Sequence, residues 1–269
     1  MQIGISTASF FSRLRTEQSL AWIGQQGVPI AETFLDSYSE YSQSFAHLLR
    51  QVAQENGVHI LSVHAMASQF EPQLFSIGAR QKRDAWDMFE QVLSAARTMG
   101  ASNYVFHGPA MLLGAAKNIG LDRIGPITCD LAAMAQTYDI RLCWENVSWA
   151  MFSYPEFGHD IQRCCQHDNL GFTFDIKQAM RAGYDPFAFL EAMGERISHI
   201  HLCDVSVQAG HDKIQLSLPG RGAFDFARLG RKLREIGYQG CAMIEVYSNL
   251  YDDPSEVSAC CALMQDVLN

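Results

Sequence analysis

The sequence lacks a hydrophobic run long enough to cross a membrane. A spanning helix needs about 18 consecutive apolar residues, and no stretch of this chain approaches that length. The first residues enter an alternating, strand-like pattern without a basic leader or a cleavage site. We therefore expect a cytoplasmic protein that is not embedded in a membrane.

The sequence also lacks a surplus of positive charge. Its 20 lysines and arginines stand against 29 aspartates and glutamates, which gives a formal net charge of −9. A surface of this sign repels the phosphate backbone of nucleic acids over most of its area. We therefore expect no nucleic-acid partner.

Cysteine pairs with a recognisable spacing are missing as well. The eight cysteines contain no C-x-x-C pair, and they include two adjacent doublets, Cys164-Cys165 and Cys260-Cys261. Neighbouring cysteines rarely bridge to each other, and a chain of 269 residues does not depend on disulfides for a stable core. We expect reduced, mostly buried thiols.

What is present is a regular alternation of strand and helix patterns, with 48% hydrophobic residues to form a core. Helical periodicity is clearest in Arg80–Met99 and in Asp225–Ile236, and Gly100, Gly183 and Gly237 stand where helices should end. Short apolar segments between the helical ones predict eight strands: Ile3–Thr7, Val28–Phe34, His59–His64, Asn103–His107, Arg141–Asn146, Gly171–Asp175, Ser198–Cys203 and Ala242–Tyr247.

Eight strand–helix units of this length predict a (β/α)8 TIM barrel that forms one domain over residues 1–269. The alternative is an open, doubly wound parallel sheet. Such sheets usually carry a glycine-rich phosphate turn after the first strand, and residues 6–9 read Ser-Thr-Ala-Ser instead. The closed barrel is therefore the favoured fold.

Polar residues end six consecutive predicted strands, each after a largely apolar run. In a barrel the C-terminal ends of all strands meet on one rim, where the active sites of this fold lie. Residues that are distant in sequence should therefore share one pocket. From the third strand to the eighth, the terminal residues are His64, His107, Glu145, Asp175, His201 and Glu245.

Four of these residues predict a metal site. A single carboxylate at a strand end is more often a helix N-cap or a loop acceptor. Three carboxylates beside one histidine, however, form an uncompensated cluster of negative charge unless a cation binds there. Carboxylate oxygens with one imidazole suit a single divalent Mn, Mg, Co or Zn ion. The predicted ligands are Glu145, Asp175, His201 and Glu245, whereas His199 lies one layer deeper on the same face of its strand.

At these residues the chain resembles the xylose isomerase-like barrel superfamily, which includes sugar isomerases, ketose 3-epimerases, inosose dehydratases and endonuclease IV. The resemblance covers nearly the whole chain and rests on five motifs: Trp144-Glu145-Asn146, Phe174-Asp175, His199-Ile-His-Leu-Cys-Asp204, Pro219-Gly-Arg-Gly222 with Phe224-Asp-Phe226, and Ile244-Glu-Val246. It implies that the four predicted ligands match the metal ligands of the family. His64 and His107 match the rim histidines of strands three and four.

The chain departs from the family at positions that bear on the number of metals. Many members carry D-x-x-H after strand six, and this chain has Asp175-Ile-Lys-Gln178. Endonuclease IV-like enzymes use that histidine and an Asp-x-His segment for a three-metal cluster, and the corresponding Ile214-Gln215-Leu216 offers no ligand. These departures and the negative charge favour one metal ion and a carbohydrate substrate over DNA repair.

The predicted function is metal-dependent isomerisation or epimerisation of a ketose or related polyol, by proton transfer through an enediolate. Glu145 and Glu245 serve as base and acid, and the substrate hydroxyls are bound by His64, His107, Gln178 and Arg221. Trp149 and Phe152 are expected in the apolar wall or in ordinary packing, and Lys177 as a solvated loop charge. The same pocket leaves open an inosose-type dehydratase and a non-catalytic sugar-binding barrel. The sequence also leaves open whether the chain forms a homo-oligomer.

Overall fold

The computed structural model describes residues 1–111, 119–207 and 214–269. These residues contain ten strands: β1 Ile3–Ser6, β2 Ile30–Leu35, β3 His59–Ala65, β4 Asn103–Phe106, β5 Arg141–Glu145, β6 Leu170–Asp175, β7 Ile197–Leu202, β8 Asp204–Val207, β9 Ile214–Ser217 and β10 Ala242–Ile244. Eight of them form a closed barrel in the order β1-β2-β3-β4-β5-β6-β7-β10, with parallel neighbours throughout. The predicted (β/α)8 barrel is confirmed.

Ten helices accompany the strands in the described ranges: α1 Thr16–Gln25, α2 Gln43–Glu55, α3 Glu71–Leu74, α4 Ala79–Met99, α5 Leu121–Thr137, α6 Glu156–Cys164, α7 Ile176–Arg181, α8 Pro186–Met193, α9 Phe226–Glu235 and α10 Ser255–Leu268. The two most periodic segments of the sequence correspond to α4 and α9, with bounds within one residue of those predicted. Gly100 ends α4 with φ of +89°, a left-handed conformation that glycine adopts at little cost.

Within the described ranges, no helix combines the length and the apolar character needed to cross a membrane.

The alternation of side chains along each strand separates an apolar outer face from a polar inner face. On β5 the outward Trp144 packs against Phe157 of α6, with ring centroids 5.2 Å apart. The inward Glu145 instead reaches across the barrel to His201 of β7. Burying one large apolar side chain stabilises the fold by roughly 2–3 kcal/mol, so the outer face carries most of the stability. The inner face carries the polar groups of the site together with apolar side chains such as Phe34.

A hairpin that the sequence analysis did not predict lies between β7 and α9. Strands β8 and β9 pair antiparallel. The segment Ile214-Gln215-Leu216, which offers no metal ligand, is part of β9. Asp204 organises the turn that follows: its Oδ2 accepts the N–H groups of Gly220 and Gly222, both at 2.9 Å. A Cβ at position 222 would lie 2.3 Å from Asp204 Oδ1, so only glycine fits there. The H-I-H-L-C-D and P-G-R-G motifs thus form one structural unit.

The prediction of uniformly reduced cysteines is wrong for one pair. Cys129 of α5 and Cys165, which follows α6, form a disulfide, with Cα atoms 5.4 Å apart. The two cysteines are separated by 36 positions, and only the packing of α5 against α6 brings them together. The other six cysteines are free thiols, and of these Cys164 is exposed.

Candidate metal centre and its cavity

A cavity of about 530 Å³ opens at the C-terminal ends of the barrel strands. Five residues predicted for the site line it: His64, His107, Glu145, Gln178 and Glu245. Asp175 and His201 are fully buried beside these residues. The structure therefore brings together every predicted site residue except Arg221.

The four predicted ligands, Glu145, Asp175, His201 and Glu245, are called the metal quartet below. Each offers one ligand atom, and these atoms lie within 4.8 Å of one another. His201 Nδ1 is 3.1 Å from Glu145 Oε1, 3.7 Å from Asp175 Oδ2 and 3.5 Å from Glu245 Oε2. Tetrahedral ligands at normal zinc distances of about 2.0–2.2 Å stand roughly 3.4 Å apart. The spacing of the quartet therefore fits one divalent ion.

Asp175 supports this fit through an oxygen that the described residues leave unsatisfied. Its Oδ2 is buried and receives no hydrogen bond from the part of the chain that the structure describes. Lys177 Nζ and His201 Nδ1 lie 3.4 and 3.7 Å from it. A buried acceptor without a donor is costly, and a cation ligated by that oxygen removes the cost.

Asp175 also acts as a helix N-cap, the structural role that is the common alternative to metal binding for a carboxylate at a strand end. Its Oδ1 accepts the N–H of Gln178 at 2.8 Å and so caps the N-terminus of α7. Its backbone is held by Asn146, whose side-chain amide donates to the Asp175 carbonyl and accepts the Asp175 N–H, both at 2.8 Å. One carboxylate thus caps a helix with one oxygen and offers the other to the quartet.

Beneath the quartet lies a second polar group, Glu32, Ser62 and His199, called the deep layer below. Glu32 Oε2 accepts the Ser62 hydroxyl at 2.8 Å and lies 2.8 Å from His199 Nε2. It also lies 3.2 Å from His201 Nε2, so His201 is held between Glu32 and the quartet. Partners of this kind orient a ligating imidazole.

Glu32 is not among the predicted site residues, because it lies in the interior of a strand and the predicted residues end strands. The available signal was a carboxylate in the interior of the apolar β2 segment, on the same face as Phe34. Glu71 of α3 was missed as well: it accepts the Tyr104 hydroxyl at 2.6 Å and the His107 N–H at 2.8 Å. No local pattern marks Glu71, because its partners belong to β4 and the residue after it.

The two rim histidines each contact a different glutamate. His64 Nδ1 lies 3.3 Å from Glu245 Oε1, and His107 Nε2 lies 3.1 Å from Glu145 Oε2. The two Nε2 atoms are 2.9 Å apart, so one imidazole donates to the other. Burial opposes a charge on His107, but hydrogen bonds to Glu145 and Glu71 outweigh burial and raise its pKa to about 10.

The three carboxylates of the quartet differ in how the surrounding groups affect their charge. Burial alone would raise the pKa of Glu145, yet His201 and His107 hold it well below its usual range. Burial likewise opposes the charge of Glu245, and Lys177 and His201 outweigh it and lower its pKa. For Asp175 burial prevails over the attraction of Lys177, and the pKa is raised. Negative charge is therefore least compensated at Asp175.

The prediction that Lys177 is a solvated loop charge is wrong. Only 3% of this residue is exposed, and its Nζ lies 2.6 Å from Glu245 Oε2. Because α7 begins directly after β6, the first turn of this helix lies at the barrel mouth and carries Lys177 into the site. The sequence shows the charge but not the direction in which the turn carries it.

Gln178 and Arg221, both predicted to bind substrate hydroxyls, have different surroundings. Gln178 lines the cavity, and its Oε1 accepts the Ser148 hydroxyl at 2.9 Å. Arg221 is exposed and pairs with Glu256 of α10 at 2.6 Å, outside the cavity lining. The turn around Asp204 directs Arg221 towards α10, so its predicted contact with substrate is not supported.

The two aromatic residues that follow β5 are also separated by the fold. Trp149 lines the cavity, and its ring stacks against that of His107 with centroids 5.5 Å apart. Phe152 is fully buried in the core between Phe157 and Phe172. Trp149 is therefore available to a ligand, whereas Phe152 is a packing residue.

A larger cleft of about 950 Å³ lies beside the cavity, between the segments that follow β1 and β2. The two spaces share Phe11 and Phe34, whose rings meet edge to face at 5.8 Å. None of the quartet residues lines this cleft. The acids that line the larger cleft, among them Asp36 and Glu40, are therefore separate from the metal quartet.

Two curated relatives show sequence similarity to the chain. An uncharacterized protein of Methanocaldococcus jannaschii is 26% identical over 254 residues, which cover 91% of this chain and 83% of that protein. An inosose dehydratase of Geobacillus kaustophilus is 30% identical over 89 residues, which cover 27% of this chain and 28% of that enzyme.

Two solved structures show the similarity of the fold. A D-tagatose 3-epimerase-like protein superposes with a TM-score of 0.81 at 22% identity, over 100% of this chain and 98% of that one. The IolI protein, solved with a zinc atom, superposes with a TM-score of 0.76 at 17% identity, over 100% of this chain and 98% of that one. The family model of the xylose isomerase-like TIM barrel matches residues 20–261. This chain therefore belongs to the xylose isomerase-like TIM barrel family.

Proposed function

We propose that the protein is a divalent-metal-dependent isomerase or epimerase that acts on a ketose or a related polyol. The observation that carries the proposal is the position of Glu145 and Glu245. Both line the same cavity, and both contribute a ligand atom to the metal quartet. The sugar epimerases and dehydratases among the structural and sequence relatives support the proposal.

The metal quartet is proposed to hold one ion, of Mn, Mg, Co or Zn, and the zinc atom in the related IolI structure supports this assignment. A divalent ion at this position supplies a Lewis acid that stabilises negative charge on the carbonyl and neighbouring hydroxyl oxygens of a sugar. His201 is held for ligation because Glu32 engages its Nε2 while Nδ1 faces the carboxylates.

The two glutamates are proposed to carry the proton. Glu245 or Glu145 removes the proton next to the carbonyl as general base, and the other can return it from the opposite face, which gives epimerisation. Return to the neighbouring carbon gives aldose–ketose isomerisation. His64 contacts Glu245 and His107 contacts Glu145, so each glutamate has an imidazole beside it that can bind a substrate hydroxyl.

The cavity wall supplies the remaining contacts that a sugar requires. Trp149, Phe34 and Tyr247 present aromatic surface for the C–H face of the ring, and the Gln178 amide can donate to a hydroxyl. No nucleic acid is involved in this proposal: the substrate is a small carbohydrate.

The test is solvent-deuterium exchange. Wild-type protein loaded with Mn²⁺ is incubated in D2O with a panel of ketoses, and deuterium in the sugar is measured by NMR. Glu245→Gln should retain the fold and lose exchange by at least about 10³-fold, because the neutral amide can neither accept nor return a proton. Glu235→Gln, at an exposed position paired with Lys232, is the matched control and should exchange as wild type does.

The proposal fails if no ketose, polyol or keto acid exchanges deuterium with the wild type under any of the four metals. Full activity of Glu245→Gln would contradict the role of that glutamate alone and leave the reaction class standing.

A second candidate is an inosose-type dehydratase, favoured by the partial match to the Geobacillus enzyme. The same base would remove a proton next to a ketone, and an acid would expel the neighbouring hydroxyl as water. Mass spectrometry of the product separates the two reactions, since dehydration removes the mass of one water and isomerisation leaves the mass unchanged.

A further inference from the structure

Lys177 is the only lysine or arginine in the described part of the chain that is buried. It belongs to the first turn of α7, and its Nζ lies inside the cavity among the quartet carboxylates. The ring centroid of Tyr247 lies 5.0 Å from Nζ, so an aromatic face covers the ammonium as well. Burying an ammonium costs free energy unless a negative charge is paired with it. Lys177 is therefore stable at this position only because carboxylates surround it.

The oxygens that Lys177 contacts are those that face His201 in the quartet. Glu245 Oε2 lies 2.6 Å from Lys177 Nζ and 3.5 Å from His201 Nδ1. Asp175 Oδ2 lies 3.4 Å from Lys177 Nζ and 3.7 Å from His201 Nδ1. A carboxylate oxygen has two lone pairs, so it can accept from Lys177 with one and bind a metal with the other. The ammonium and the ion would then be close neighbours on shared oxygens.

We propose that Lys177 is a built-in counter-cation of the metal centre: it compensates the charge of Glu245 and Asp175 when no divalent ion is bound, and its charge weakens divalent-ion binding so that the ion exchanges. The inference rests on the proposed function for the presence of the ion, but not for the reaction that follows.

Two consequences of this arrangement act in opposite directions. Without a divalent ion, Lys177 compensates part of the negative charge of Glu245 and Asp175, and the folded chain is stabilised. With the ion, the fixed ammonium repels it. Even with the full screening of water, that repulsion amounts to about a tenfold change in the binding constant, and partial burial increases it.

The experiment compares Lys177→Met with Lys232→Met, a matched removal of one ammonium at a surface position paired with Glu235. Methionine keeps an unbranched apolar stem and removes the ammonium with its charge and its N–H donors. Mn²⁺ affinity is measured by calorimetry, and thermal unfolding is measured in EDTA. Lys177→Met should bind Mn²⁺ at least tenfold more tightly than wild type and should melt at a lower temperature in EDTA. Lys232→Met should change neither.

A variant that fails to fold in EDTA still gives a decisive result. If Lys177→Met folds only when Mn²⁺ is added, the counter-cation role is supported, because the ion then replaces the missing charge. The double variant Lys177→Met with Glu245→Gln should regain the melting temperature of wild type in EDTA, since the partner charge is gone as well. Its Mn²⁺ affinity should fall.

An affinity and a melting temperature of Lys177→Met that both match those of Lys232→Met would overturn the inference. If the wild type binds Mn²⁺ and the variant is unchanged, only the role of Lys177 is lost. If the wild type binds none of the four divalent ions, the inference and the proposed metal-dependent function fail together.

Discussion

The deep layer and the metal quartet both bury carboxylates inside the barrel, but their charges are compensated differently. In the deep layer, Ser62 and His199 both approach Glu32 Oε2 at 2.8 Å. In the quartet, Asp175 Oδ2 receives no hydrogen bond from the described residues and lies near two further carboxylates. Within the described ranges each group keeps a buried oxygen without a hydrogen-bond donor, Glu32 Oε1 and Asp175 Oδ2, so the two groups differ in charge. The deep layer has one carboxylate, which lies beside His199 and His201, whereas the quartet brings three carboxylates together.

This difference in charge is the reason to interpret Glu32 as structural and the quartet as the proposed metal site. A buried acid that is satisfied by protein donors adds specificity to the fold, and its removal leaves those donors without a partner. Several buried acids gathered around one imidazole instead indicate a cation that is not part of the chain. His201 connects the two groups, since Glu32 engages its Nε2 and the quartet faces its Nδ1.

The largest expected effect is that a variant of the quartet loses metal affinity without losing stability, whereas a variant of the deep layer loses stability and keeps most of its affinity. Asp175→Asn should weaken Mn²⁺ binding by more than about 100-fold, because it removes a ligand charge. Its unfolding free energy in EDTA should stay equal to that of wild type or rise, because burial raises the pKa of Asp175 and so disfavours its charge in the folded chain. Asparagine also retains the N-cap of α7. Calorimetry and urea unfolding measure the two quantities.

Glu32→Gln is the opposite member of this pair. It should lower the unfolding free energy by about 2 kcal/mol, because His199 and His201 lose a charged acceptor. Its Mn²⁺ affinity should fall by no more than about tenfold, since His201 remains and only its orientation loosens. Equal losses of stability and affinity in both variants would show that the two groups act as one.

An intermediate effect is expected from Gln178 and Arg221, which are both predicted to bind substrate hydroxyls. Gln178→Ala removes a side chain that lines the cavity and should raise KM by about tenfold. Arg221→Ala removes an exposed arginine paired with Glu256 and should leave KM and kcat unchanged. Steady-state kinetics on the ketose identified by deuterium exchange decides this; a raised KM in the Arg221 variant would restore its predicted role.

The smallest effect concerns a third kind of carboxylate, Glu40, which lies outside both groups and accepts the Asp36 N–H at 2.8 Å. Partial burial in the polar cleft, more than any other cause, raises the pKa of Glu40 to about 7. Because the folded-state pKa lies above that of the unfolded chain, Glu40 should lower stability as pH rises from about 4.5 to 7. Glu40→Gln should therefore raise Tm slightly at pH 8 and leave it unchanged at pH 4. A shift at pH 4 of the same size would exclude titration as the cause.

Much of the site could be predicted because a barrel places the C-terminal ends of all its strands on one rim. Glu145, Asp175, His201 and Glu245 each follow an apolar strand, and strand alternation directs them inward. That inference needs only the strand pattern and the closed topology. The same parity separates His199 from His201, and the structure places His199 in the deep layer.

The residues that were missed or misplaced depend on contacts between distant segments. Glu71 reaches β4 from a short helix, and Arg221 is turned away by the Asp204 turn. The Cys129–Cys165 disulfide depends on the packing of two neighbouring helices. None of these positions follows from periodicity, since periodicity describes which way a side chain leaves its own element and not what it meets.

The sequence by itself determined the barrel, its apolar outer face and the four residues that meet at its rim as the proposed ligands, because these follow from periods of two and of three to four residues. Only the tertiary structure decided which charged and polar groups surround each buried carboxylate. Glu32 and His199 are 167 positions apart, and Lys177 and Glu245 are 68 apart. Closure of the barrel creates these pairs, and electrostatic compensation depends on distance in space rather than on distance along the chain.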